Sequence, residues 1–219
     1  MSQNTSSAVM QQRSEPHDSL DDFPTQPWAT RALCRHVLTG IDLTGKSAWD
    51  PACNRGHMTD PLGEYFSAVF ASDIHDYGLQ NAFQHDFLMP YTPRMLNIPT
   101  WGVDWIISNP PFRLAEQFIA QARSMATVGV AMIVRTSFLE GVGRYENLFS
   151  KNPPSIVAQF SERVPMVKGR LTATGSTATS YCWLVWRKGV TGTKLVWIPP
   201  CRKKLERPED YAAYREVAA

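Results

Sequence analysis

The chain has 219 residues, 43% hydrophobic and 19% charged, with 22 basic and 20 acidic side chains for a net charge of +2. These are the proportions of a soluble globular domain; no apolar run nears the roughly 18 residues that span a bilayer, and the charge alone is too small to advertise a polyanionic partner. The four cysteines, at positions 34, 53, 182 and 201, form no CxxC pair and read as reduced thiols of a cytoplasmic protein, without disulfides and without a metal site.

Residues 1–22 are polar and lack the positive start and apolar middle of a secretory signal, so they are expected to be a disordered leader. One catalytic-sized domain is expected over residues 23–200, and a charged tail over residues 201–219. Phe23-Pro24-Thr25-Gln26-Pro27 opens a helical pattern over about residues 28–38, with Thr25 as a cap and Pro27 in the first turn. Trp28, Ala32, Leu33 and Val37 give that helix an apolar face. A short strand ends at Trp49-Asp50, a Gly-containing turn follows, and a helix is expected over about residues 57–66. Residues 67–71 read as a second strand with Asp73 just beyond it, and residues 84–87 as a weaker third.

Three prolines make residues 89–102 a loop. Residues 103–108 form the fourth strand, and Leu114, Phe118, Ala122 and Met125 carry helical spacing behind it. Residues 128–134 are apolar throughout, as in a strand covered on both faces. Residues 156–160, 181–186 and 194–198 are further strand candidates, and residues 167–180, rich in Gly, Thr and Ser, read as a mobile loop. Strands alternating with helices imply a doubly wound, mostly parallel α/β sheet of about seven strands with helices on both faces. Ligands of such sheets sit at the carboxyl ends of the strands.

Polar residues fall where that rule wants them. Asn109-Pro110-Pro111-Phe112 follows the fourth strand, and an amide fixed by two prolines beside an aromatic ring makes a rigid cup for a planar amino group. Asp50-Pro51-Ala52-Cys53-Asn54-Arg55-Gly56 is a tight strand-to-helix turn against which a small cofactor could rest, with Gly56 permitting close backbone approach. Asp73 stands 23 residues after Asp50, near the interval at which an acid meets ribose hydroxyls. Asp86 is placed to read an adenine amino group while the Phe87 ring packs on a face of the base. Helix capping for Asp50, solvated surface for Asp73 and Asp86, and plain burial for Trp28 and Phe112 are the alternatives. His57 and His75 read as terminal or surface residues rather than general bases, and Cys34 with His36 as no metal ligands.

With these motifs in this order, the chain resembles the class I S-adenosylmethionine-dependent methyltransferases, in particular the amino-methylating branch that includes DNA adenine-N6 methyltransferases. Asp50-Pro51-Ala52-Cys53 looks like that family's first motif, Asp73 its second, Asp86-Phe87 its third and Asn109-Pro110-Pro111-Phe112 its catalytic fourth. Phe23 to Trp28, Thr25 included, looks like the segment that covers the methionine part of the cofactor. The resemblance spans about residues 23–187 and implies a Rossmann-like fold, S-adenosylmethionine as cofactor, no metal and a nucleic-acid partner, DNA ahead of RNA. It also implies that the Asn109 side-chain oxygen and the Pro110 carbonyl accept hydrogen bonds from an exocyclic amine while Phe112 stacks on the base.

Where the family has Gly-x-Gly, this chain has Asn54-Arg55-Gly56; Asn tolerates positive φ, so the turn is expected to survive with Arg55 narrowing the pocket. No large target-recognition region follows the fourth motif, so sequence selectivity is expected either to be poor or to come from residues 167–180, with Lys168 and Arg170, together with Arg202, as candidate contacts to a nucleic-acid backbone. The rival readings are an RNA base amine or a protein glutamine amide methylated in the same cup and, in another class, an inactive binding module of the same fold.

Overall fold

The computed structural model describes residues 21–90, 102–175 and 177–212. The expectations for residues 1–20, 91–101 and 213–219 lie outside the described residues. Eight strands form one sheet: β1 Ser47–Asp50, β2 Ala68–Asp73, β3 Phe83–Gln84, β4 Trp105–Ser108, β5 Gly129–Arg135, β6 Ile156–Phe160, β7 Tyr181–Arg187 and β8 Lys194–Ile198. Their order is β3-β2-β1-β4-β5-β7-β6-β8. Every neighbouring pair is parallel except those made by β7, which runs antiparallel to β5 and to β6. The expected doubly wound, mostly parallel sheet is therefore present, with residues 194–198 as its eighth strand.

The sheet is double-faced because its strands alternate side chains between two apolar layers. Ala48, Trp105, Ile107, Ala131, Ile133, Trp183 and Val185 join one core, which also holds Trp28, Ala29, Ala32 and Leu33. Trp49, Ile106, Val130, Met132, Val134, Cys182, Leu184 and Trp186 join the other, with Phe118, Ile119 and Ala122 of α3, Ala115–Met125. The unbroken apolar run of β5 thus serves both layers. Gly129 begins it because a Cβ there would stand 2.7 Å from the Trp105 ring and 2.8 Å from the Trp186 carbonyl.

Several local expectations change. α1 is only Pro27–Ala32 before the chain relaxes into a wider π-type turn over Leu33–Val37. Thr25 does not cap it: Gln26 holds the cap position without a side-chain bond to the helix, and Thr25 is buried. Gln26 instead spans the molecule, its Nε2 donating to the carbonyls of Pro165 at 2.7 Å and Thr172 at 3.2 Å. The helix expected at residues 57–66 contracts to α2, Thr59–Leu62, between Gly56 at φ 91 and Gly63. Asp73 is the last residue of β2 rather than beyond it, while Asp86 and Phe87 fall after the two-residue β3. A helical turn, α4 Val142–Arg144, follows β5.

The described residues of 167–180 form no strand, and several hydrogen bonds tie them to their surroundings. Gly169 N donates to Asp22 O at 2.8 Å, Arg163 Nη1 to Ala178 O at 2.8 Å, and Arg202 to Ala173 O. The start of the charged segment is docked as well, as α5 Arg202–Leu205 and α6 Glu209–Ala212. The clamp is Arg31 of α1, 4% exposed. Its two terminal nitrogens each reach an Asp210 oxygen at 2.7 Å, Nη1 also donates to Leu205 O at 2.8 Å, and Nε donates to Glu64 Oε1 at 2.9 Å. All four cysteines are free and buried, and burial pushes the Cys201 thiol up to about 11 and those of Cys34 and Cys182 up to about 12. Among the described residues no helix is long and apolar enough to cross a membrane, and no group of three potential ligands could hold a metal ion.

Removing one side of a buried, fully ligated charge network strands the other. Arg31→Ala is accordingly expected to lower stability by about 3–5 kcal/mol in urea unfolding, far more than Arg207→Ala, whose guanidinium reaches Glu64 at 2.7 Å from a side chain 43% exposed.

Candidate active site

The sheet reverses its direction of growth between β1 and β4, and there the two strand ends are joined. Ser108 Oγ donates to Asp50 Oδ1 at 2.8 Å, and the Ala52 N–H reaches the same oxygen at 3.3 Å. Asp50 is 1% exposed, and burial pushes its carboxyl up to about 7. It braces the two strands as a buried carboxyl.

Beyond Ser108 the chain leaves the sheet through Asn109-Pro110-Pro111 and makes one 3-10 turn, Phe112–Leu114, before α3. Asn109 is half-buried and its Nδ2 donates to the Phe23 carbonyl at 2.9 Å. A carbonyl can only accept, so this bond decides which way round the amide sits and leaves Oδ1 as an acceptor. The amide borders a hollow formed with Asp21, Phe23, Pro110, Phe112, Arg135, Met166 and Tyr181. The Phe112 ring is 37% exposed rather than a core aromatic, and the Arg135 guanidinium stands 4.8 Å from its centroid and 5.9 Å from that of Phe23. At those separations the cation is attracted to both ring faces and steadies them. The Asp21 carboxylate accepts the Phe112 N–H.

The turn after β1 keeps its shape without the first glycine. Asn54 adopts φ 51 and Gly56 φ 91. Cys53 N donates to Ser72 O at 3.0 Å, and Asn54 N to Asp73 Oδ2 at 3.0 Å, so the turn folds over the end of β2. His75 N takes the other Asp73 oxygen at 3.0 Å, and burial raises the carboxyl above its usual range. Each Asp73 oxygen still has a lone pair to offer. The Arg55 guanidinium turns to Asp22 at 3.2 Å and over the Tyr77 ring at 5.0 Å.

Other expected contacts are placed elsewhere. Phe87 is 1% exposed, wedged 5.2 Å from Trp49 and 4.9 Å from Phe118, and has no face to lend to a base. Trp28, Thr25, Pro51 and Cys53 are buried as well. Ala52 and Asp86 are half-buried, and Asp86 Oδ1 accepts the Leu88 N–H at 3.0 Å in a turn. His57 is buried and burial drives its imidazole down to about 4, which keeps it neutral. Lys168 and Arg170 are exposed on the turn that Gly169 ties to Asp22, whereas Arg202 is drawn to Glu206 at 2.8 Å. The residues that sequence reasoning missed are Asp21 and Asp22, assigned to the leader, and Arg135, Met166 and Tyr181. Arg135 carried a signal, as the first charge after an apolar strand and hence a rim position.

No family model and no curated protein matches the sequence. Solved structures do match in fold. A type I restriction-modification system methyltransferase subunit from Streptococcus thermophilus aligns at TM-score 0.57 and 11% identity, over 87% of this chain and 50% of that one. A modification subunit assigned to a type I restriction enzyme of Vibrio vulnificus aligns at TM-score 0.55 and 15% identity, over 88% and 51%. A protein of Listeria monocytogenes assigned as a class I S-adenosylmethionine-dependent methyltransferase aligns at 0.55 and 13% identity, over 89% and 70%. The chain spans about half the length of the two restriction-modification subunits, and the likeness is one of fold.

The Asp50 brace generates a measurable sign. A carboxyl raised from 3.8 to about 7 on folding binds its proton more tightly in the native state, so it costs stability as pH climbs through that window. His57, lowered from 6.5 to about 4, acts in the opposite sense below pH 6.5. The difference between wild type and Asp50→Asn isolates the carboxyl: from pH 5 to pH 8 the unfolding free energies should move apart in favour of the Asn protein by a few kcal/mol, on the order of 1.4 kcal/mol per pKa unit. A gap independent of pH in denaturant titrations would remove the ionisation from the account.

Proposed function

We propose that this protein is an S-adenosylmethionine-dependent methyltransferase acting on an exocyclic amino group, with adenine N6 in DNA as the favoured acceptor. The observation that carries the reading is the Asn109 amide, whose Nδ2 is taken by the Phe23 carbonyl so that its oxygen is left as an acceptor, on a residue that lines a hollow shared with the exposed Phe112 ring. The fold and its half-length likeness to restriction-modification subunits support the donor and the class of substrate.

The chain fits such a donor. Asp73, with spare lone pairs at the end of β2, would hold the ribose hydroxyls, and Asp86 the adenine amino group. The left-handed turn at Asn54 and Gly56, with the Phe23 segment above it, would hold the rest. When bound, S-adenosylmethionine supplies a methyl group on a positively charged sulfur.

The chain's own part is to make a poor nucleophile competent. An adenine amine has its lone pair delocalised into the ring. Asn109 Oδ1 and the Pro110 carbonyl accept its two N–H groups and favour the pyramidal, localised form. Phe112 offers an exposed face for stacking, held in place by Arg135 above the ring and by Asp21 at its N–H. The proton leaves to water, so no general base is needed, in keeping with a neutral, buried His57. A duplex target would have to be turned out of the stack at a cost of a few kcal/mol. Lys168 and Arg170, on the turn tied to Asp22, supply positive charge for a phosphate backbone. Four free, buried thiols support residence in a reducing compartment, the cytoplasm.

Incubation with labelled methyl donor and separate pools of DNA, RNA and protein, followed by digestion, should place the label on N6-methyladenine from DNA. Label on an RNA base or a glutamine amide would reassign the acceptor, and binding without transfer to any pool would mark an inactive module. Asn109→Ala should lower turnover about 100- to 1000-fold with donor affinity retained in calorimetry. Retained turnover would sink the assignment.

A further inference from the structure

The turn that departs from its family also carries the least expected contact in the molecule. Arg55 is the middle residue of the Asn54-Arg55-Gly56 turn, and its guanidinium turns toward the segment before α1. Nη1 lies 3.2 Å from Asp22 Oδ2 and 3.2 Å from Asn54 Oδ1, with the guanidinium carbon 5.0 Å from the centre of the Tyr77 ring. The side chains of Arg55 and Asp22 are 26% and 12% exposed, so the pair is half withdrawn from water. Asp22 has a second anchor: Asn54 Nδ2 donates to its Oδ1 at 2.7 Å. The carboxylate therefore stays in place if Arg55 lets go, and Arg55 keeps Tyr77 and Asn54 if Asp22 finds another partner.

Opposite charges held side by side on separate supports complement a ligand that itself carries both. The α-amino-acid end of a sulfonium methyl donor is such a ligand, with an ammonium and a carboxylate on one carbon. We infer that Asp22 and Arg55 form the recognition pair for that end, Asp22 taking the ammonium and Arg55 the carboxylate; this rests on the methyl-donor reading above. One ion pair within the protein is exchanged for two with the ligand, which makes the amino-acid end favourable to bind even though the pair must open. Arg55 offers the ligand's carboxylate a planar fork of donors. Asp22 brings the segment before α1 into the site, because the same residue's carbonyl takes the Gly169 N–H at 2.8 Å.

Titration calorimetry on the full chain separates the pair from the rest of the pocket. The probes are S-adenosylmethionine, S-adenosylhomocysteine, which keeps the amino-acid end without the sulfonium charge, and 5′-methylthioadenosine, which lacks that end. Arg55→Ala and Asp22→Asn should each weaken the first two about tenfold, as loss of a charged hydrogen bond does. Both should leave methylthioadenosine within about twofold, which also reports that the variants are folded. Arg55→Lys should fall between, because it keeps the charge and loses the fork. Equal weakening of all three probes, tighter binding by the variants, or unchanged binding of all three would overturn the pair's role while leaving the donor reading intact. A wild-type protein that binds none of the three overturns the donor reading and this inference with it.

Discussion

A hydrogen bond between a buried carboxyl and a serine hydroxyl, Asp50 with Ser108 at 2.8 Å, joins the two strands at which the sheet changes direction. On one side of that bond the chain enters the turn of Pro51 to Gly56; on the other it enters Asn109-Pro110-Pro111-Phe112. The distance between the turn of Pro51 to Gly56 and the segment Asn109 to Phe112 is thus set by one short contact in a dry interior, where a hydrogen bond is stronger and harder to replace than in water. Everything else at the rim is arranged around that fixed span. The parallel topology brings the strand ends together; the brace gives them a common origin.

A second agent of order is the short stretch before α1. Within six residues it supplies the Asp21 carboxylate to the Phe112 N–H, the Asp22 carboxylate to Asn54 and Arg55, the Phe23 carbonyl to Asn109 and the Gln26 amide to the carbonyls of Pro165 and Thr172. It touches the loop after β1, the loop after β4 and the segment before β7. Most of these bonds engage backbone groups, which makes the stretch a template for loops that have no regular structure of their own.

The architecture was legible because its signals are local and repeated. The all-apolar β5 implied cover on both faces, and the strand ends at Asp50, Asp73 and Asn109 implied a shared rim. Asn54 was readable too, since its backbone tolerance is intrinsic to the side chain. What escaped were properties set by partners far away in sequence. Asp21 and Asp22 look like solvated acids until Asn54 and Phe112 are placed beside them. Phe87 looks like a cofactor face until Trp49 and Phe118 close around it. Asp50 was singled out, but its burial and its bond from Ser108 could not be read from either residue alone.

The Arg31 clamp bears on the order in which the molecule can be completed during synthesis. A guanidinium buried in α1 depends on Leu205 and Asp210, and Gln26 is bonded by Tyr211, contacts separated by 174 to 185 positions. Until those late residues leave the ribosome, the first helix carries a charge that cannot be packed away. The layer around α1 is therefore among the last parts to settle, although it is made before the strands it covers.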